Sequence, residues 1–445
     1  MVGVHFAESV KYLLLLGNEV SAMKLGLENI RKLLNALGNP QNNYLKVQVA
    51  GTNGKGSVCV FLNSICVGAG IKTGLYTSPH LISITERIKI NGHDISEDNL
   101  ALYATKVRET AEKLVADGEM EGVPTFFEQV TAIALLAFAE AGVELAILET
   151  GLGGRLDATT AANAEIAAIT SIAIDHQEYL GETLAEIAVE KAAVIHNGSI
   201  VVIAEQDAEV MNILRERCSV ADVLPQFAES IRTKGGKGWL TFRTEKTEYK
   251  FKKLGLRGRH QIENAKVAVL LAENLQRYFS FAKSKIIYGL QNARHPGRLD
   301  YHGQYLFDGA HNVAGARALR AFLDKNIHQR ITMIFGAMRG KNVAEMIEIL
   351  LPKVENLILT RPSNERALTT RELTEFIDCD FNGEHMLLTD TVAEAIEKAN
   401  EIVGKNRIIL VTGSLYLVGE VKKLLKDNLE FEISNLESKI DVCTN

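Results

Sequence analysis

The chain has 445 residues, 47% hydrophobic and 23% charged, with 49 basic against 55 acidic side chains and a formal net charge of −6. That balance excludes wholesale disorder, and the lack of a Lys/Arg run excludes a dedicated nucleic-acid surface. The length is large for one core, so two domains are expected.

Near the N-terminus, Leu13 to Leu16 forms a short apolar patch within a charged segment, without the cleavage-like region of a signal peptide. No stretch approaches the roughly 20 apolar residues of a membrane helix, so a soluble, cytoplasmic protein with no membrane partner is expected. Val47-Gln48-Val49-Ala50 reads as a strand running into a glycine-rich turn, with a helix from about Ser57 to Gly68. Leu145 to Leu148 is a second strand, closing on Glu149-Thr150-Gly151. Ile166 to Ile174 reads as a longer buried strand ending at Asp175-His176. Thr183-Leu184-Ala185-Glu186 fits a capping box, and Gly198 suits the far end of that helix. After a short strand at Ile200 to Ala204, the stretch from Trp239 to Lys252 changes pattern and suggests a local hairpin. Strands then recur at Tyr305 to Phe307, Ile331 to Phe335, Leu357 to Thr360 and Ile408 to Val411. The alternation predicts an α/β fold with mostly parallel sheet wrapped by helices. The turn His295-Pro296-Gly297-Arg298 is the best break between blocks, dividing the chain into residues 1–296 and 297–445. The cysteines Cys59, Cys66, Cys218, Cys379 and Cys443 form neither a disulfide framework nor a zinc spacing, which suits a reducing compartment. No heptad pattern demands a dimer, and a monomer is expected.

Gly51-Thr52-Asn53-Gly54-Lys55-Gly56-Ser57 lies between a predicted strand and a predicted helix. Glycines let backbone approach phosphates closely, and amides at a helix N-terminus point at the anion. Lys55 would contact the outer phosphates and the Ser57 hydroxyl would ligate magnesium. The Walker spacing is not strictly met, and the alternative is a tight turn with a capping serine. Glu149 and His176 also follow apolar strands at their carboxyl ends, where open α/β sheets bind ligands. Each alone also suits a cap or a hydrogen-bonded loop residue, and magnesium prefers oxygen to imidazole. On the helix from Leu184, Lys191 shares a face with Ile187, Ala188, Val194 and Ile195. A lysine so placed either snorkels or pairs with a carboxylate, or has a lowered pKa and can react with carbon dioxide to become a carbamate. Further along, Asp308-Gly309-Ala310-His311-Asn312, the run Gly336 to Lys341 and Gly413 to Tyr416 each put polar groups at a strand's end. If that edge faces the phosphate loop, an interdomain cleft results.

These motifs together resemble folylpolyglutamate synthase/dihydrofolate synthase of the Mur ligase superfamily. The resemblance rests on Gly51 to Ser57, Thr77-Ser78-Pro79-His80-Leu81, Glu149 to Thr159, Asp175-His176, Leu180 to Lys191, His260-Gln261-x-x-Asn264, Pro296-Gly297-Arg298 and Asp308 to Asn312. The matches run in order from about Gly51 to Glu420. The resemblance implies a Mur-ligase-like ATPase domain followed by a smaller Rossmann-like domain that ligates glutamate. It further implies ATP and magnesium as cofactors, with a monovalent cation and a carbamylated Lys191. Ser57, Glu149 and His176 would organise the metal. Asn264 would lie near adenine, Arg298 near the phosphates, and Asp308 and His311 would hold the nucleotide. Residues Thr77, Ser78, Pro79 and His80 would sit by a pterin-bearing substrate. The implied reaction joins L-glutamate to a folate, and to dihydropteroate, through an acyl phosphate, with Lys55, Lys191 and His311 in the catalytic machinery.

Several positions depart from the family pattern. Val313 replaces a proline, Ala192-Ala193 stand where a glycine is usual, and Ser171-Ile172-Ala173-Ile174 differs from Asn-x-Gly-Leu. Gly340 stands where an acidic residue is expected, which bears on the amino-acid substrate. Three rivals are a peptidoglycan Mur ligase, an inactive nucleotide-binding homologue and a phosphate-loop kinase or GTPase, the last opposed by the motifs of the second block. The first would carry a domain before the phosphate loop, where this chain has only about fifty residues. The second predicts damage at Lys55, Ser57, Glu149, His176 or Lys191, and all are present.

Overall fold

The computed structural model describes residues 5–17, 26–236, 238–377, 381, 385–404 and 407–427. Cys379 and Cys443 lie outside the described residues, while Cys59, Cys66 and Cys218 are free, buried thiols. The chain divides into two compact units, Met1–Leu256 with His260–Arg294, and Arg257–Arg259 with His295–Asn445. No helix among the described residues is long and apolar enough to cross a membrane.

The first unit is built on eight strands: β1 (Leu45–Ala50), β2 (Thr73–Tyr76), β3 (Ile88–Ile90), β4 (His93–Asp94), β5 (Leu145–Glu149), β6 (Ile166–Ile169), β7 (Ile200–Ile203) and β8 (Gln226–Phe227). Their order is β4-β3-β2-β5-β1-β6-β7-β8. The strands from β2 to β8 pair in parallel, and β3 and β4 are antiparallel. Strands β5 and β6 are buried throughout, as expected of a parallel sheet covered on both faces. The two faces alternate along the chain. In β5, Leu145 and Ile147 enter one core with the helices Lys55–Gly68 and His260–Leu275, while Ala146 and Leu148 enter the other with the helix Phe126–Glu140. A separate antiparallel sheet follows, with β9 (Arg232–Gly236), β10 (Trp239–Arg243) and β11 (Glu248–Phe251) in the order β11-β10-β9. The expected hairpin is its β10–β11 half.

One strand is shorter than its sequence suggests. The run Ile166 to Ile174 is expected to be a single strand, yet β6 ends at Ile169. Beyond it the backbone leaves the ladder: the Ile172 amide donates to Gln206 Oε1 at 3.0 Å and the Ala173 amide to Thr52 Oγ1 at 3.1 Å. Ile174 is 45% exposed, so it belongs to no core. The helix at Thr183 begins as expected, with the Thr183–Glu186 capping box formed, but stops at Ala192 rather than near Gly198.

The second unit carries β12 (Asp300–His302), β13 (Tyr305–Phe307), β14 (Ile331–Phe335), β15 (Val354–Leu359), β16 (Met386–Leu388) and β17 (Ile409–Thr412). The order is β12-β13-β17-β14-β15-β16, with an antiparallel β12–β13 hairpin and parallel pairing elsewhere. Helix Val313–Asn326 begins at Asn312, whose side chain accepts from the Gly315 amide at 2.8 Å.

Candidate active site

Strand order places the candidate residues of the first unit side by side. At the carboxyl edge, β2 leads into the loop from Thr77, β5 ends on Glu149, β1 leads into Gly51 to Ser57, and β6 leads toward His176. Val49 pairs with Glu149 and Ala50 with Ile169, so these strand ends are level.

The phosphate loop has backbone that other residues could not adopt in place. Gly51 has φ +143, and a Cβ there would lie 1.9 Å from Thr170 Oγ1. Gly54 has φ +93, with a Cβ position 2.3 Å from Asn264 Oδ1. The Thr52 and Asn53 amides donate to the Ser171 carbonyl at 2.9 and 3.1 Å, which ties the loop to the segment after β6. The helical ladder opens with the Val58 amide on the Gly54 carbonyl, so the amides of Lys55, Gly56 and Ser57 are the unpaired donors of the helix start. Such a cradle fits phosphate.

Ser57 is buried and its Oγ accepts from Gln261 Nε2 at 3.1 Å, while Gln261 Oε1 accepts from Asn264 Nδ2 at 3.0 Å. Glu149 is buried, and its Oε2 accepts from the Ser78 amide at 3.2 Å. His176 sits at the N-terminus of the short helix Gln177–Leu180 with φ +53, its amide bonded to Asp175 Oδ1 at 2.9 Å. It follows β6 through a loop rather than closing the strand. A hydroxyl, a carboxylate and an imidazole are few protein ligands, and no group of three or more His, Cys, Asp or Glu side chains suited to a metal occurs among the described residues. Magnesium needs few protein ligands, because waters and substrate phosphates complete its octahedral shell. The Ser57 hydroxyl and the Glu149 carboxylate are oxygen donors that suit that ion, and the His176 imidazole suits it less well.

Lys191 is 4% exposed, and its Nζ donates to the Gly51 carbonyl at 2.8 Å. Burial, then the charge of Lys55, brings its ammonium down to about 7, against the pull of Asp175, Asp157 and Glu190. The loop after β5 packs directly on this helix end: a Cβ on Gly154 would lie 2.7 Å from the Glu190 carbonyl, and the Arg155 amide donates to that carbonyl at 3.0 Å. Asp157 closes the loop by accepting from Leu152 and Thr159 amides at 2.8 and 3.0 Å.

The remaining candidates lie in the second unit. Asp308 follows β13, where its two carboxylate oxygens accept from Leu299 and Ala310 amides, each at 3.0 Å. Burial raises its carboxyl above the ordinary range, opposed by Arg298 and those amides. Arg298 Nη1 donates to the Gly309 carbonyl at 3.1 Å, and His311 Nδ1 bonds the same oxygen at 2.8 Å.

The Mur ligase middle-domain family matches residues 49–272, and the C-terminal domain family of dihydrofolate synthetase matches 294–425. The Bacillus subtilis dihydrofolate synthase/folylpolyglutamate synthase is 34% identical over 91% of this chain and 96% of its own length. The chain belongs to the folylpolyglutamate synthase/dihydrofolate synthase family of the Mur ligase superfamily. A probable bifunctional folylpolyglutamate synthase/dihydropteroate synthase of Haloferax volcanii is 33% identical over 90% of this chain, which spans about half (48%) of that relative. Among solved structures, E. coli FolC in complex with DHPP and ADP has a TM-score of 0.84 and 26% identity, over 95% of this chain and 98% of that one. The Yersinia pestis bifunctional enzyme complexed with AMPPNP and Mn ion has a TM-score of 0.83 at 26% identity, over 95% and 98%. As a family member the chain is an ATP-dependent ligase.

Some residues in contact with these candidates have no role that the sequence alone assigns. Gln261 is visible only as part of a motif, yet it touches Ser57 directly. Gln206 braces the loop after β6 from both sides, donating to the Thr170 carbonyl at 2.9 Å and accepting from Ile172. Arg87, buried beside His80, also escapes notice, because nothing local marks it.

Proposed function

We propose that this ligase joins L-glutamate to a reduced folate and also to dihydropteroate, in both cases through an acyl phosphate. The observation that carries this reading is the row of loops along one sheet edge, with Lys191 buried beneath and bonded to Gly51. The unit containing the phosphate loop is assigned the ATP chemistry and the unit containing Asp308 the glutamate ligation. Small-molecule substrates are its partners in this reading, and it acts as a cytoplasmic monomer.

A carboxylate is a poor electrophile and needs activation before an amine can displace anything from it. Its oxygen attacks the γ-phosphorus of ATP, the bond to ADP breaks, and an acyl phosphate forms. The amine of glutamate then attacks the acyl carbon, phosphate leaves, and a proton is released from nitrogen. The amides of Lys55, Gly56 and Ser57 would hold the nucleotide phosphates together with the charge of Lys55. Gly51, Thr52, Asn53 and Gly54 give the loop its close-approach shape, and Asn264 supports it beside Gly54. Ser57, Glu149 and His176 would hold magnesium, which supplies charge neutralisation for the transferring phosphoryl group. Arg298, Asp308 and His311 are assigned to the nucleotide and the glutamate-ligating step. A monovalent cation is a further requirement in this reading.

Lys191 is assigned as a carbamate. An amine that is neutral near pH 7 is nucleophilic toward carbon dioxide, and the carbamate converts a buried cation into an oxygen ligand. Thr77, Ser78, Pro79 and His80 are assigned to the pterin-bearing acceptor.

The test is phosphate release from Mg-ATP with L-glutamate and either dihydropteroate or a reduced folate. Release with both, with products heavier by one glutamyl unit, supports the bifunctional reading. Release with reduced folate alone makes the enzyme a polyglutamylating specialist, and release with neither rejects the folate assignment.

A further inference from the structure

The loop after β2 contains a buried contact that the mechanism above does not use. Arg87 is 3% exposed, lies 5.3 Å over the Phe126 ring, and donates from Nε to His80 Nδ1 at 2.7 Å. A guanidinium has only donors and keeps its charge, so Nδ1 must present its lone pair. A neutral imidazole then holds its one hydrogen on Nε2. Adding a second proton would set two cations against each other: burial first, and the Arg87 charge second, lower the His80 imidazolium to about 3.

The backbone around His80 is fixed on both sides. Upstream, the Ser78 amide donates to Glu149 Oε2 at 3.2 Å. Downstream, the Leu81, Ile82 and Ser83 amides all donate to the Glu86 carboxylate, at 2.8, 2.9 and 2.9 Å. Both the ring's hydrogen and its place next to the Glu149 edge are therefore set before any ligand arrives. No protein atom among the described residues accepts from His80 Nε2.

We propose that His80 is a fixed, uncharged Nε2–H donor for an oxygen of the pteroyl-class acceptor substrate, and that Arg87 is the positioning residue that sets this tautomer. The proposal rests on the assignment of the Thr77–His80 loop to that substrate. With Nδ1 engaged and Nε2 carrying its hydrogen, His80 cannot take a proton from the incoming amine, so it is no general base. An uncharged donor orients an oxygen without pairing a full positive charge to it. A carboxylate held this way keeps the electron density it needs to attack phosphorus.

Two measurements test this, and they fail separately. Long-range proton–nitrogen NMR of the full chain with labelled histidine reads the tautomer directly and needs no substrate. At neutral pH, His80 is expected as the Nε2–H form in the wild type and as a tautomer mixture in Arg87→Gln. An Nδ1–H or doubly protonated ring in the wild type overturns the proposal, whatever the enzyme's substrate. The second measurement is steady-state kinetics of His80→Gln, which keeps a donor near the Nε2 position, and His80→Leu, which does not. His80→Leu is expected to raise the KM for the acceptor about five- to tenfold, the scale of one neutral hydrogen bond left unmade. The KM for ATP should hold, and His80→Gln should recover most of the loss. Equal defects in the two variants, or no change in acceptor KM, overturn the donor role even if the tautomer is confirmed.

Discussion

Replacing Lys191 by methionine separates what the buried amine contributes to the reaction from what it costs the fold. Burial and the Lys55 charge lower its ammonium from the ordinary 10.5 to about 7. A fall of that size corresponds to roughly 5 kcal/mol of destabilisation while the amine is protonated, at about 1.36 kcal/mol per pH unit. Methionine removes that penalty but leaves the Gly51 carbonyl without its 2.8 Å partner, at a cost of about 1–3 kcal/mol. Lys191→Met should therefore be more stable than the wild type by roughly 2–4 kcal/mol below neutral pH, and inactive in ligation. Linkage sets the sign of the pH dependence. Below about pH 7 the folded and unfolded chains both hold the Lys191 proton and the penalty is constant. Between about 7 and 10.5 only the unfolded chain holds it, so wild-type stability rises with pH across that window. The variant lacks this contribution, and its advantage should shrink as pH rises. Denaturant unfolding of both proteins in CO2-free buffer, at about pH 6.5 and about pH 9.5, measures the difference. A variant less stable than wild type at both values, or one with an unchanged pH slope, refutes the reasoning.

Three further outcomes follow from the same geometry. Gly54→Ala would place a Cβ 2.3 Å from Asn264 Oδ1 at φ +93, so ATP affinity by calorimetry should fall at least about tenfold, with about 1–3 kcal/mol lost in unfolding. Glu149→Gln keeps an acceptor for the Ser78 amide but removes the charge, so magnesium titrations of activity should shift about tenfold upward while stability changes by less than about 1 kcal/mol. Stripping carbon dioxide from buffer and enzyme should lower ligase activity, and bicarbonate should restore it; activity indifferent to both would remove the carbamate from the account.

Much of the framework of this candidate site is legible in the sequence because its parts are local. The phosphate loop, its strand and its helix are contiguous, and the Thr183–Glu186 capping box fixed a helix start from four residues. Lys191 stood out because helical periodicity put a charge on an apolar face, and it is buried there. What stayed hidden depends on chain returning from far away. The apolar run Ile166 to Ile174 gave no sign that it leaves the sheet at Ile169, since Gln206 and Thr52 are what draw its amides elsewhere. Gln261 reaches Ser57 across more than two hundred residues, and Gly154, in the loop after β5, has no room for a side chain because of carbonyls on the helix Leu184–Ala192. Residue types at one position could not announce either contact.

The most direct test of the central claim follows an oxygen atom. If the acceptor substrate carries a heavy-oxygen-labelled carboxylate, attack of that carboxylate on ATP transfers one labelled oxygen to the phosphate released when glutamate is joined. Mass analysis of that phosphate should find one labelled oxygen for each amide formed. Unlabelled phosphate alongside a glutamylated product would contradict the acyl-phosphate route, and with it the account of this site as a carboxylate-activating ligase.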